Sequence, residues 1–333
     1  MEENKLLNVS SSPHVRDKSA TSRIMMDVFI ALLPATLFGI WNFGFRALLV
    51  VVVSVAASVL SEFLYELLMK KPITVRDFSA ALTGLLIGLN MPVTIPLWMV
   101  ILGDAFAIIV VKQLFGGLGQ NFMNPALAAR CFLLISFPKR MAAFAYDGAG
   151  LLQWLGTDAV TSATPMGLIK TGESVDVLSM FLGTTGGVIG ETSVVALLIG
   201  AVYLFVRKVI VPTIPCVYIG VFSICIALYM LFNPSMSFDV EYLLAQLCGG
   251  GLILGAFFMA TDYVTSPVTP WGKVIFGALL GLLTFIFRIF GSGNEGVSYA
   301  IIFGNLLVPL IEKITVPKVF GVVKEKKNKK EAV

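Results

Sequence analysis

Charge is scarce in this 333-residue chain: only 13% of its residues are Asp, Glu, Lys or Arg, where a soluble domain carries about 25%. That scarcity excludes an ordinary water-soluble fold. Cysteine is equally thin. Cys131, Cys216, Cys225 and Cys248 all fall inside apolar stretches without CxxC spacing, which speaks against a disulfide frame, a zinc site or a complete iron–sulfur cluster and leaves them as packing residues. The sole histidine, His14, lies in a polar N-terminal arm and reads as solvated. No nucleotide-binding fingerprint is present. The arm Met1–Arg23 also lacks a short apolar run ending in a small-residue cleavage site, so no cleaved signal peptide is expected.

Hydrophobic residues, by contrast, make up 57% of the chain. Apolar runs bounded by charge, Pro or Gly place helices at 24–41, 47–69, 78–91, 96–112 and 124–138, then at 192–210, 213–232, 241–260, 273–290 and 298–316. Spans of about 20 residues each would use about two thirds of the chain and leave no room for a separate catalytic domain. The expected fold class is therefore an all-α integral membrane protein of about ten transmembrane helices. Lys5, Arg16, Lys18, Arg23, Lys70, Lys71, Arg76, Lys112, Arg207, Lys208, Lys273 and the tail would lie inside; Arg46, Lys139, Arg140, Lys170 and Arg288 would lie outside. This bias predicts a multi-pass protein of the cytoplasmic membrane with both termini cytoplasmic. The net charge of +4 sits largely in the tail from Lys313 to Lys330, which reads as solvated cytoplasmic lysines beside lipid and implies no nucleic acid.

The two halves also resemble one another. Gly84-Leu-Leu-Ile-Gly-Leu-Asn-Met-Pro matches Gly251-Leu-Ile-Leu-Gly-Ala-Phe-Phe-Met, and Phe115-Gly-Gly-Leu-Gly-Gln-Asn matches Phe290-Gly-Ser-Gly-Asn-Glu-Gly. With five spans per half the copies would face opposite ways, an inverted repeat with sites where broken helices meet. Chance similarity between Gly- and Leu-rich helices is the alternative. The expected organisation is an N-terminal arm (1–23), a first five-helix repeat (24–138), an outer loop (139–191), a second repeat (192–316) and a basic tail (317–333).

The outer loop holds Asp158-Ala-Val-Thr161-Ser162-Ala163-Thr164-Pro165. Small neighbours leave the Thr164 hydroxyl approachable, and the following proline biases Thr164 towards extended backbone, so its side chain projects. By composition alone such a cluster reads as a turn. On the opposite face, Gly116-Gly-Leu-Gly-Gln120-Asn121-Phe-Met-Asn124-Pro125 and Met259-Ala-Thr261-Asp262-Tyr-Val-Thr265-Ser266-Pro267 place amides, hydroxyls and a carboxylate at helix ends. Such groups suit the polar edge of a flavin ring, or else they cap helices.

The whole chain resembles the D subunits of Rnf complexes, membrane-bound ferredoxin:NAD oxidoreductases, and more distantly the B subunits of sodium-pumping NADH:quinone oxidoreductases. Those families carry FMN joined through its phosphate to a threonine in Asp-x-x-Ser/Thr-Gly-Ala-Thr. Asp158, Thr161, Ala163 and Thr164 match that motif, and Ser162 stands where glycine is usual. The resemblance implies a covalent FMN on Thr164, presented by the other four residues. It also implies a non-covalent riboflavin nearer the cytoplasm, with Asn121, Asn124, Thr261 and Asp262 as its nearest polar contacts. Lys139, Arg140 or Lys170 are candidates to neutralise the phosphate. The implied partners are the A, B, C, E and G subunits of the complex, and the implied role is to relay electrons from ferredoxin towards NAD, coupled to Na⁺ or H⁺ movement.

Further ionisable groups at membrane depth are Glu62, Glu66, Asp104 and Arg130. They suit either cation passage or a structural Asp104–Arg130 pair. Two rival readings need no flavin: an inverted-repeat transporter or channel for a small polar solute or ion, and a scaffold subunit.

Overall fold

The computed structural model describes residues 20–144, 164–171, 173, 175–233, 239–291 and 296–317. Two long apolar helices, α1 (Thr21–Phe43) and α2 (Phe45–Leu68), open the fold. They are followed by α3 (Ser79–Leu89), α4 (Leu97–Ala105), α5 (Pro125–Ser136) and α6 (Pro138–Met141). Without a break, α4 continues as a π-helix over Phe106–Gln113. Two short helices, α7 (Pro165–Thr171) and α8 (Val177–Leu182), lead into α9 (Val194–Val206) and α10 (Thr213–Phe232). The chain then forms α11 (Val240–Cys248), α12 (Leu252–Leu254) with a π-helical continuation Gly255–Met259, α13 (Pro270–Ile289) and α14 (Val297–Thr315). Among the described residues the only extended pairing is an isolated antiparallel bridge between Pro92 and Val188.

Helix starts follow local chemistry. Asn124, Asp176, Ser193, Asp239 and Thr269 each turn a side-chain oxygen back onto an amide of the first turn, taking up donors that have no intrahelical partner. At α8 the cap is exposed: the Ser179 hydroxyl and then the Leu178 amide hold the Asp176 carboxyl below its usual range.

Each of the ten expected apolar runs falls on a helix, but not all are long. Among the described residues, five helices (α1, α2, α10, α13 and α14) are long and apolar enough to cross a membrane, and the pair α11–α12, bent by 57°, raises the number to as many as six. The run expected over 192–210 shortens to α9, and α3 stops at Leu89 before the non-helical Asn90–Pro96. Hydropathy sets where apolar chain lies. It does not set where a helix breaks under cover of its neighbours.

Apolar and polar residues are distributed as a membrane requires. Leu37, Leu68, Phe232 and Ile314 are exposed, whereas Glu62, Asp104, Lys112, Arg130 and Arg288 are buried. In water this arrangement would be costly; in lipid it places each charge inside protein. α2 packs on α3 and α4, α1 on α9, and α13 on both α10 and α14. The α1–α9 contact is backbone-close: a Cβ at Gly200 would lie 2.0 Å from the Ala31 carbonyl oxygen, so α9 rests there only as glycine.

Candidate functional sites at the two ends of the bundle

Thr164 caps α7. Its Oγ1 accepts from the Gly167 amide at 3.2 Å and its carbonyl from the Leu168 amide at 3.0 Å. Half-buried, it lines a small cleft together with Gly186, Gly187, Glu191, Thr192, Gly249 and Gly250. Asp158, Thr161, Ser162 and Ala163 lie outside the described residues.

The back of this cleft is the break between α11 and α12. Gly250 and Gly251 adopt φ of 61° and 69°, the left-handed region that side chains rarely enter. The turn strands carbonyls, and Arg288 of α13 gathers them: its guanidinium donates to the carbonyls of Gln246, Gly249 and Gly250, the last two at 2.8 and 3.0 Å. The same guanidinium sits 5.1 Å over the Phe222 ring. On the other side of the turn lies Glu191, whose Oε1 would be 2.3 Å from a Cβ at Gly251. Arg130 binds Glu191 at 2.8 Å and also donates to the Asn90 side chain. The expected Asp104–Arg130 pair is thus corrected: Arg130 serves Glu191, while Asp104 is held by Ser54 and Ser58. Sequence shows that a buried cation needs an anion, but not which of several apolar helices supplies it.

Lys139 and Arg140 are exposed at the end of α6. Lys170 donates to the Gly291 carbonyl at 3.0 Å, and desolvation pushes its ammonium below the usual lysine range.

At the other end of the bundle, a small cavity brings together Asn124, Thr261 and Asp262, walled by Met25, Phe257, Phe258 and Tyr263 among others. Asn121 does not line it; its Oδ1 is buried without a hydrogen-bond partner. The three lining residues also hold the backbone. Asn124 Oδ1 accepts from the Ala126 and Leu127 amides, and its Nδ2 donates to the Met259 carbonyl at 3.3 Å. Thr261 donates to the Phe257 carbonyl at 2.7 Å, and Asp262 accepts from the Thr265 hydroxyl at 3.0 Å. Capping and cavity lining are therefore not alternatives at Asn124; it does both.

Ile24, Met25 and Val28, in the first turns of α1, line this cavity, and none of α1 lines the Thr164 cleft. The half-helix Leu252–Met259 runs from the cleft to the cavity over about 12 Å. Among the described residues no three His, Cys, Asp or Glu side chains converge in a metal-binding group. Sequence reasoning missed Glu191 and Arg288 as parts of the outer site. The signal for the break was present in Gly249-Gly250-Gly251 inside an apolar run.

The chain is 46% identical to the D subunit of the Na⁺-translocating ferredoxin:NAD⁺ oxidoreductase complex of Acetobacterium woodii, over 97% of this chain and 98% of that one. It is 42% identical to the D subunit of the proton-translocating ferredoxin:NAD⁺ oxidoreductase complex of Clostridium ljungdahlii, over 95% and 96%. To the D subunit of the ion-translocating oxidoreductase complex of Salmonella paratyphi B it is 36% identical, over 95% and 99%. The pattern of the NQR2, RnfD, RnfE family matches residues 8–321, and the chain belongs to that family.

Proposed function

We propose that this chain is the D-type subunit of an ion-translocating ferredoxin:NAD⁺ oxidoreductase complex in the cytoplasmic membrane. In this reading it crosses the membrane about ten times as two inverted five-helix repeats, with both termini cytoplasmic. It holds FMN by a phosphoester on Thr164 and riboflavin in the inner cavity, and it works with A, B, C, E and G subunits. A flavin supplies one- and two-electron redox chemistry, and the protein sets its position and surroundings.

The observation that carries the reading is the placement of Thr164. The one threonine that the motif marks for esterification stands on the rim of a cleft, not against a wall. The residues fit a flavin. Gly187 has open space where a Cβ would stand, so a flat ring has access to backbone there. The Arg130–Glu191 pair behind the cleft places fixed charge close to that surface. In the inner cavity Phe257, Phe258 and Tyr263 give apolar faces, and Asn124, Thr261 and Asp262 give polar edges. The buried, unpartnered Oδ1 of Asn121 is an acceptor in want of a donor nearby. Arg130 and Arg288 are held too firmly to move as carriers; their part is to keep the broken helix and its neighbours in one arrangement.

In-gel flavin fluorescence after denaturing electrophoresis tests the reading, using protein from a host that makes the flavin-attaching enzyme. A fluorescent wild-type band, dark in Thr164→Ala, is the expected result. A dark wild-type band would put the transporter reading, which has no use for Thr164, in its place.

A further inference from the structure

One face of the second half of α2 is polar. Ser54, Ser58, Glu62 and Glu66 recur at four-residue spacing, and all four are buried, at 0, 0, 1 and 2% exposure. Residues four apart share a helix face, so they form a file from the middle of α2 to its end. α3 and α4 cover it. Glu66, nearest the end of α2, accepts from the amide and hydroxyl of Thr74. Glu62 pairs with Lys112 at 2.6 Å, and Lys112 also reaches the Ser79 hydroxyl. Asp104, fully buried near the middle of the α4–π-helix span, closes the file.

The surroundings of Asp104 are unusual. Its Oδ1 lies 2.9 Å from both Ser54 Oγ and Ser58 Oγ, and Ser54 Oγ lies 2.7 Å from the Gly84 carbonyl oxygen. A hydroxyl carries one proton, so Ser54 cannot donate to Gly84 and to Asp104 at once. Asp104 Oδ2 has no hydrogen-bond partner and no exposure. The glycine is part of the construction: a Cβ at Gly84 would lie 2.7 Å from the Ser54 carbonyl oxygen, so only glycine brings the α3 backbone this close to α2. The charged groups on the surrounding elements are committed elsewhere. Lys112 of the π-helix is bound to Glu62, and Arg130 of α5 to Glu191. α3 offers no ionisable side chain, and Cys131 of α5 no positive charge. A carboxylate buried among neutral oxygens has to be neutralised, by a proton or by a cation from outside the chain.

We propose that Asp104, the Ser54 and Ser58 hydroxyls and the Gly84 carbonyl form a binding site for one small monovalent metal cation of the Na⁺ class. The cation reaches it from the Glu66 end of the α2 file. The donors are all oxygens, as hard cations prefer, and a single carboxylate neutralises a single charge. The proposal deepens the ion-translocating part of the proposed function and rests on that reading. Its readout needs neither flavin nor electron flow, so either is able to fail without the other.

The test is infrared difference spectroscopy of the purified full chain in detergent, exchanging NaCl for KCl at constant ionic strength and pH. A saturable Na⁺-induced change in carboxylate bands is expected, absent from Asp104→Asn and intact in Asp77→Asn. Ser58→Ala, which removes one neutral donor, is expected to weaken the apparent Na⁺ affinity by roughly tenfold. It serves as a second check should Asp104→Asn fold poorly. Bands that respond to pH but not to Na⁺, an unchanged signal in Asp104→Asn, or an unchanged affinity in Ser58→Ala would each overturn the proposal.

Discussion

Arg130 and Glu191 form an ion pair at 2.8 Å with both side chains more than nine-tenths out of solvent. Arg130→Met should remove a charge partner from the Glu191 carboxylate and lower stability by about 3–5 kcal/mol, read as a fall in the thermal aggregation temperature in detergent; adding Glu191→Gln should restore part of it. An unchanged temperature would mean that water reaches Glu191. For Asn124, alanine should cost about 1 kcal/mol through the lost cap, while aspartate preserves the cap. If the inner cavity also holds riboflavin through the Asn124 amide, both substitutions should lower non-covalent flavin. Loss with alanine alone would assign Asn124 to the backbone only. The two residues differ in how much of their role is legible in the chain. Asn124-Pro125 reads as a helix start because its chemistry is local: a side-chain acceptor followed by a residue with no amide to satisfy. The partner of Arg130 does not, because Glu191 is distant in the chain and equally apolar stretches separate them.

At the scale of elements, the sequence locates apolar runs well because lipid demands them, and it locates breaks poorly. A break is tolerated only where another helix supplies the missing hydrogen bonds. α11–α12 is such a case: three glycines mark the turn, but the clamp is Arg288, which hydropathy had placed at the outer end of a span. Arg288→Gln should therefore loosen the break. The expected outcome is faster proteolysis near Gly249–Gly251 and reduced covalent flavin on an intact Thr164, because the cleft wall moves. Arg288→Lys should rescue little: one ammonium lacks the planar fork that reaches several carbonyls. Wild-type proteolysis in both variants would remove Arg288 from that role.

For the whole molecule, sidedness is decisive. The proposed relay makes sense only if Thr164 and the Asn124–Asp262 cavity face opposite sides of the membrane. The half-helix Leu252–Met259 separates them, but no length of helix states which end meets the cytoplasm. The lysine and arginine bias does: it places Glu173, two residues past α7, outside, and Lys313, in the last turn of α14, inside. Both side chains are exposed. With exposed Cys216 replaced by serine, Glu173→Cys should react with an impermeant thiol reagent applied to intact cells, and Lys313→Cys only after the membrane is opened. The reverse pattern would turn the molecule over, putting the Thr164 cleft on the cytoplasmic side and the Glu66 end of the α2 file outside. Labelling of both from one side would exclude a charge path between cleft and cavity across the bilayer. Only the first result leaves electron passage along Leu252–Met259 and cation passage along α2 spanning the same membrane. Up to about 2.3 kcal/mol per charge at 100 mV would then be available to couple them.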